Sequence, residues 1–266
     1  VTGSQGDLAL LAAACGLIGL FIGSFLNVVI HRVPAGQSVV HPRSRCPGCG
    51  AEIAWYDNIP VLSWLVLRGR CRGCGERISI RYPLVELGTA LLFAATAWWT
   101  GLAWVLPAYL YLAAISVALS AIDLDTKRLP DRIVLPSYVV AAVLLALPAL
   151  LDDGGADYVR ALLAAAALFA FYFLLAFIYP AGMGFGDVKF SGVLGLYLGW
   201  VSWGAVIIGT FAAFVLGAVV GIAVLVGGRG GRKTKVPFGP FMVLGAYLGL
   251  LAGDPIASWY TGLIGV

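Results

Sequence analysis

The sequence predicts an all-α polytopic membrane protein with about eight transmembrane helices and a small cytoplasmic zinc-binding insert. Three observations predict it. Of 266 residues, 61% are hydrophobic and 11% charged, against about 45–50% and about 25% in soluble domains. A soluble chain of this length would lack the polar surface to cover its core. The apolar residues fall into long windows, and four of five cysteines form two CxxC pairs between the first two windows. This composition also excludes disorder, a collagen repeat and a secreted disulfide scaffold.

A membrane helix needs about 20 mostly apolar residues at about 1.5 Å rise each. Windows of that kind fall at roughly 8–30, 83–100, 104–122, 132–151, 159–180, 188–202, 203–227 and 238–262. The sixth is short, and a turn near Gly199 to Gly204 separates it from the seventh. The first is read as a retained helix rather than a signal peptide. Asp7 precedes it instead of a basic run, and it is too long for an apolar h-region. Small residues let helices approach closely in lipid. The pairs Gly217 with Gly221 and Gly245 with Gly249 are assigned that packing role.

Charge orients the helices, because short loops rich in Lys and Arg stay cytoplasmic. Arg32, Arg43, Arg45, Arg68, Arg70, Arg72, Arg77 and Arg81 follow the first window. Lys127, Arg128 and Arg132 follow the third, Lys189 the fifth, and Arg229, Arg232, Lys233 and Lys235 the seventh. With eight alternating helices, sixteen of the seventeen basic residues share one side. The other side carries Asp7, Asp152, Asp153, Asp157 and Asp254, with Arg160 its single base. Both termini are therefore expected outside, and the insert inside. The net charge of +4 records topology rather than nucleic-acid binding. The expected organisation is a first transmembrane helix at 1–30, a cytoplasmic insert at 31–82 and a seven-helix membrane unit at 83–266.

The insert contains Cys46-Pro-Gly-Cys49 and Cys71-Arg-Gly-Cys74, each followed by glycine. Two such knuckles about 20 residues apart are a tetrathiolate zinc signal. Four thiolates close a tetrahedral site with no open position, so the metal is structural. Two disulfides are the competing reading, disfavoured in a reducing compartment. The insert is too small to bury much of a core, so metal binding would supply much of its folding energy. Cys15, inside the first window, reads as a small buried apolar side chain. His31 and His41 read as surface or interfacial residues. The positive insert can touch anionic lipid heads. It lacks the aromatic interleaving of a nucleic-acid platform.

Acidic residues at a membrane edge are costly and suggest function. One group is Ile122-Asp123-Leu124-Asp125, followed by Leu129-Pro130-Asp131. The other is Gly184-Phe185-Gly186-Asp187-Val188-Lys189. The predicted topology puts both on the cytoplasmic face at similar depth. Two carboxylates in one site share a single proton near neutral pH. The ionised member can take a proton from water while the protonated member polarises a peptide carbonyl. Gly184 and Gly186 would let a substrate backbone approach. The bland alternative makes Asp187 a helix N-terminal carboxylate favoured by the dipole. For Asp125 and Asp131 the preferred reading is local pairing with Lys127, Arg128 or Arg132.

These motifs resemble the prepilin peptidases, or type IV leader peptidases, over nearly the whole chain. The match begins with Gly23-Ser24-Phe25-Leu26-Asn27-Val28-Val29-Ile30-His31-Arg32-Val33-Pro34. It continues through both CxxC pairs, Arg81-Tyr82-Pro83-Leu84-Val85-Glu86-Leu87, the Asp123 motif and the Asp187 motif. The resemblance implies a bacterial inner-membrane aspartic endopeptidase. Such enzymes cut the basic leader of prepilins and type II secretion pseudopilins after a glycine at the cytoplasmic face. It maps the catalytic pair onto Asp123 and Asp187. Many members also N-methylate the new N-terminus with S-adenosylmethionine, and the cysteine insert implies that bifunctional type. The insert carries no glycine-rich Rossmann fingerprint. Glu86, Asn27 and Arg32 are candidates for the cofactor, or alternatively serve packing, with Glu86 pairing with Arg81 or another arginine. Asp125 and Lys189 belong to the expected substrate approach, with Asp125 and Asp131 as candidates for guiding a basic leader.

Two other classes compete. A proton-coupled transporter would use buried aspartates, but its acids belong nearer the midplane and its inverted repeats are not evident. A membrane anchor with a partner-recruiting zinc knuckle would leave the aspartate motifs unexplained.

Overall fold

The computed structural model describes residues 5–180, 182–227 and 236–264. Among them the regular elements are helical: α1 (Gln5–Arg32), α2 (Leu62–Val66), α3 (Arg81–Thr100), α4 (Leu106–Thr126), α5 (Asp131–Leu151), α6 (Gly155–Ile178), α7 (Phe185–Val201), α8 (Trp203–Val226) and α9 (Gly239–Ile264). Each of the eight apolar windows forms a helix. Six of them, α1, α4, α5, α6, α8 and α9, are long and apolar enough to cross a membrane. The α3 helix carries Arg81 and Glu86, and α7 has 17 residues. The chain is a multi-pass membrane protein. The basic run Arg229, Arg232, Lys233 and Lys235 lies outside the described residues. Contacts divide the chain into two units, Val1–Ala118 and Leu119–Val266, with the boundary inside α4.

In the first unit α1 packs along α3. A side chain at Gly19 would lie 2.8 Å from the Ala90 Cα, and one at Gly23 would lie 2.7 Å from the Glu86 Cα. Glycine at these two positions therefore sets the approach of the helices. Cys15 is buried against Phe93, Ala97, Leu106 and Ala113, as expected of a small apolar side chain. The hydroxyls of Thr89 and Thr96 donate to the carbonyls of Val85 and Leu92, each at 2.7 Å. Polar groups satisfied within their own helix add no cost in lipid. Gly101, with φ +64°, ends α3.

In the second unit α7 is the central helix, with every residue from Val188 to Gly199 buried except Lys189. Such a helix needs no amphipathic stripe, and small residues admit its neighbours. A side chain at Gly195 would lie 2.6 Å from the Ala165 Cα of α6. The α8 and α9 helices pack the same way, through Gly209, Gly245, Gly249 and Gly253. Gly245 and Gly249 take the packing role assigned to them, and Gly217 lies against Phe238. Gly221 does not, since among the described residues nothing lies within 4 Å of a side chain placed there.

The turn between α7 and α8 has two anchors. Ser202 caps α8, accepting from the Ala205 N–H at 2.9 Å, and its hydroxyl donates to Asp254. Arg160 of α6 donates to the carbonyls of Gly199, Trp200 and Val201 at 2.6–2.8 Å and pairs with Asp157. The last carbonyls of a helix have no intrahelical partners, so one guanidinium closes the C-terminus of α7. Replacing Arg160 by Met should cost about 2–3 kcal/mol by leaving partly buried carbonyls unpaired. Chemical unfolding of the detergent-solubilised protein measures it. An unchanged midpoint would show that water satisfies these carbonyls equally well.

Candidate active site

The two CxxC segments fold as near copies of each other. In the first, the Cys46 N–H donates to the Ala51 carbonyl and the Gly50 N–H to the Cys46 carbonyl, both at 2.9 Å. In the second, the Cys71 N–H donates to Glu76 at 2.8 Å and the Gly75 N–H to Cys71 at 2.9 Å. Gly50 and Gly75 have φ of +70° and +75°, which explains the glycine after each pair. The sulfurs of Cys46, Cys49, Cys71 and Cys74 all lie within 4.8 Å of one another and can hold a metal ion. Cys46 and Cys74 sulfurs are 3.7 Å apart, close to the ~3.8 Å that tetrahedral Zn–S bonds of ~2.3 Å require. All five cysteines are free thiols, so the disulfide alternative fails. The backbone N–H groups of Cys74 and Gly73 pull the Cys71 thiol down to about 7. Cys74 is pushed up to about 12: the Glu76 N–H favours its thiolate, but burial and the neighbouring thiols outweigh it. A cation reverses that balance, because each ligand must bind as thiolate.

The remainder of the insert is held by polar contacts. Arg72 forks onto Asp57, with bonds of 2.7 and 2.9 Å, and this holds the Asp57 carboxyl below its ordinary value. Ser63 donates to the Tyr56 carbonyl at 2.9 Å, and the Trp64 indole N–H to Ile78 at 3.1 Å. Glu86, 8% exposed, accepts the Val61 N–H at 2.7 Å and the Ser24 hydroxyl. Asn27 donates to the Tyr82 carbonyl at 3.1 Å and Arg32 to that of Ser38 at 3.0 Å. The expected arginine pairing of Glu86 is replaced by a backbone N–H, which ties the insert to α3. Glu86 and Arg32 thus tie the insert to α3 and α1, and Asn27 ties α1 to α3.

The aspartates lie in the second unit. Asp123 sits on the last turn of α4, 4% exposed. The Gly239 N–H, at the start of α9 and 116 residues away, donates to its Oδ2 at 2.8 Å. Asp187 sits half-buried on the first turn of α7, and its Oδ2 accepts the Gly184 N–H at 3.1 Å. The two carboxylates are close enough that the charge of Asp123 acts on Asp187. Leu129 touches the backbone beside each of them. A side chain at Gly186 would lie 3.0 Å from the Leu129 Cβ, and one at Gly239 3.3 Å from its Cδ2. Each aspartate therefore has one oxygen fixed by a glycine N–H, leaving Oδ1 for a proton or a water.

Other sequence expectations change here. The backbone that approaches Gly186 is the chain's own, at Leu129, so this glycine serves internal closure. Asp131 pairs with Lys189 at 2.8 Å, 58 residues away, and not with Lys127, Arg128 or Arg132. Lys189 also lies 4.9 Å from the Phe185 ring centroid, and its carbonyl accepts the Tyr138 hydroxyl at 2.6 Å. Asp125 is exposed at the end of α4. Gly239 escaped the sequence reading, although a Gly-Pro step opening an apolar window marks a helix start. It is held by Phe238, whose ring packs against Tyr172 and Phe214 at 6.5 and 5.3 Å.

A side chain at Gly239 would lie 2.9 Å from the Asp123 Oδ2. Gly239→Ala should therefore turn the carboxylate and lower catalysis about 100-fold, as small misplacements do. The loss should appear in kcat more than in KM. A loss confined to KM would remove Gly239 from the carboxylate's support.

Comparison with known proteins agrees with these motifs. Residues 17–100 match the Bacterial Peptidase A24 N-terminal domain, and residues 110–222 match the Type IV leader peptidase family. A Stutzerimonas stutzeri protein named prepilin leader peptidase/N-methyltransferase is 36% identical, over 92% of each chain. One of that name from Pseudomonas aeruginosa is 35% identical, over 94% of this chain and 93% of its own. One from Myxococcus xanthus is 45% identical, over 82% of this chain and 65% of its own. No solved structure matches the chain. With both halves matched and relatives aligned almost end to end, the chain belongs to the type IV leader peptidase family.

Proposed function

We propose that this protein is an inner-membrane aspartic endopeptidase that removes the basic leader of type IV prepilins or pseudopilins, cutting after a glycine, and then N-methylates the new N-terminus. The observation that carries the reading is that Asp123 and Asp187 lie on either side of Leu129 at adjoining helix ends, each steadied by a glycine N–H. One carboxylate is ionised and the other holds the shared proton. The ionised member takes a proton from water as its oxygen attacks the scissile carbonyl carbon. The protonated member gives its proton to the carbonyl oxygen. The tetrahedral gem-diol collapses as the first carboxyl gives its proton to the leaving nitrogen, the C–N bond breaks, and one hydroxyl returns its proton to the second carboxylate, which restores the dyad.

The charge asymmetry of the loops supports placing the insert and the aspartates at the cytoplasmic face, with both termini outside. A prepilin helix in the bilayer would then present its leader junction at their depth. Zinc is the ion for the four thiolates, where it supplies folding energy and no open coordination position. S-adenosylmethionine is the donor that the relatives' name implies, and no methyl-transfer step is assigned to residues here. The test is incubation of purified protein with a prepilin and S-adenosylmethionine, then mass measurement of the product. Leader loss plus one methyl, about 14 mass units per group added, supports both activities. Leader loss alone restricts the reading to the peptidase, and an intact prepilin overturns it.

A further inference from the structure

The two cysteine knuckles are alike in backbone and unlike in charge at one position. The residue before each CxxC forms a β-bridge with the residue three after its second cysteine. In the first knuckle this bridge joins Arg45 to Glu52, and their side chains form a salt bridge of 3.0 Å. In the second it joins Arg70 to Arg77. Like charges directly opposite across a bridge destabilise it. A shared anion removes the penalty, and two guanidinium forks suit a phosphate.

The surroundings complete a site. Arg68, Arg70 and Arg77 line an open concavity of about 550 Å³ with Trp64, Gly69, Ile78, Ser79 and Ile80. Among the described residues no acid pairs with any of the three. Ile80 directly precedes α3, which packs along the candidate span α1, so the concavity opens at the end of a helix that lies against a candidate membrane span. Apolar side chains stand exposed close by in sequence: Leu62, Leu65 and Val66 on α2, and Ile80 itself. Arginines beside exposed aliphatic groups match a phosphate above an acyl chain. We propose that Arg68, Arg70 and Arg77 form a binding site for the phosphate of an anionic lipid headgroup, with the α2 aliphatic residues in the adjoining acyl region.

The experiment uses the purified full chain in detergent, titrated with phosphatidylglycerol, phosphatidylcholine or inorganic phosphate. Native mass spectrometry reads the bound species. Each arginine near a lipid surface is worth about fivefold in binding. Arg70→Gln and Arg77→Gln should each weaken phosphatidylglycerol retention about fivefold, and wild type should prefer it over phosphatidylcholine by at least as much. Arg70→Lys/Arg77→Lys preserves the charge that sets topology but not the planar fork, so it should recover only part of the loss. These residues are exposed, and an unchanged unfolding midpoint verifies each variant. Gln variants that bind like wild type overturn the site. Full recovery by the Lys variant reduces it to diffuse charge and overturns it too. Inorganic phosphate binding as tightly as the lipid overturns the lipid assignment.

Discussion

Asp123→Asn and Asp187→Asn should each lower prepilin cleavage by about 1000-fold or more while leaving the fold intact. The replacement is isosteric, and the amide oxygen can still accept the Gly239 or Gly184 N–H. It cannot exchange a proton near neutral pH. Removing a buried carboxylate also removes its desolvation cost, so the unfolding midpoint should hold or rise. The double variant should be scarcely worse than either single one, because residues that act as a unit are strongly non-additive. Initial rates on a prepilin, with unfolding measured in parallel, decide the matter. Near-wild-type cleavage by either folded variant would remove that residue from the chemistry.

The parts of this arrangement legible in sequence are those written in local runs. Apolar windows gave eight helices with boundaries within about four residues, because length and hydropathy are local quantities. The knuckles were equally readable, down to the glycines that adopt positive φ. The aspartates were recognisable from their motifs, and charge bias placed them at a common depth. What escaped is every contact made by a side chain with distant backbone. Gly239 supports Asp123 across 116 residues, and nothing in its neighbourhood names that partner. Arg160 read as a lone base on the acidic side, yet its guanidinium closes α7. Asp131 had three basic residues close in sequence and pairs with Lys189 instead, because the turn after α4 redirects it towards α7. Gly221 shared its spacing with true packing glycines and meets none of the described residues. Spacing reports which residues share a helix face, not whether another helix lies against it.

Metal removal should have the largest structural effect. The insert is held by short polar contacts and has little apolar interior, since Trp55, Leu62, Leu65 and Val66 are exposed. Chain entropy of roughly 1–2 kcal/mol per residue exceeds what such contacts return. Structural zinc contributes about 10–16 kcal/mol in small domains, enough to decide whether this one folds. Cys46→Ser removes the buried ligand of the four and leaves three. Metal content should fall from one zinc per chain to roughly a tenth of that or less. The arginines between Arg43 and Arg77 should then become trypsin sites, while the segments after α4 stay protected. Chelation of the wild-type protein should reproduce the pattern, and added zinc should reverse it. Because Glu86 accepts the Val61 N–H at 2.7 Å from within the insert, unfolding there also exposes a buried acid on α3. The Cys46→Ser protein should therefore lose stability in its first unit beyond the insert itself. A protein that loses its metal but keeps the trypsin pattern of wild type would show that the polar anchors alone hold the insert.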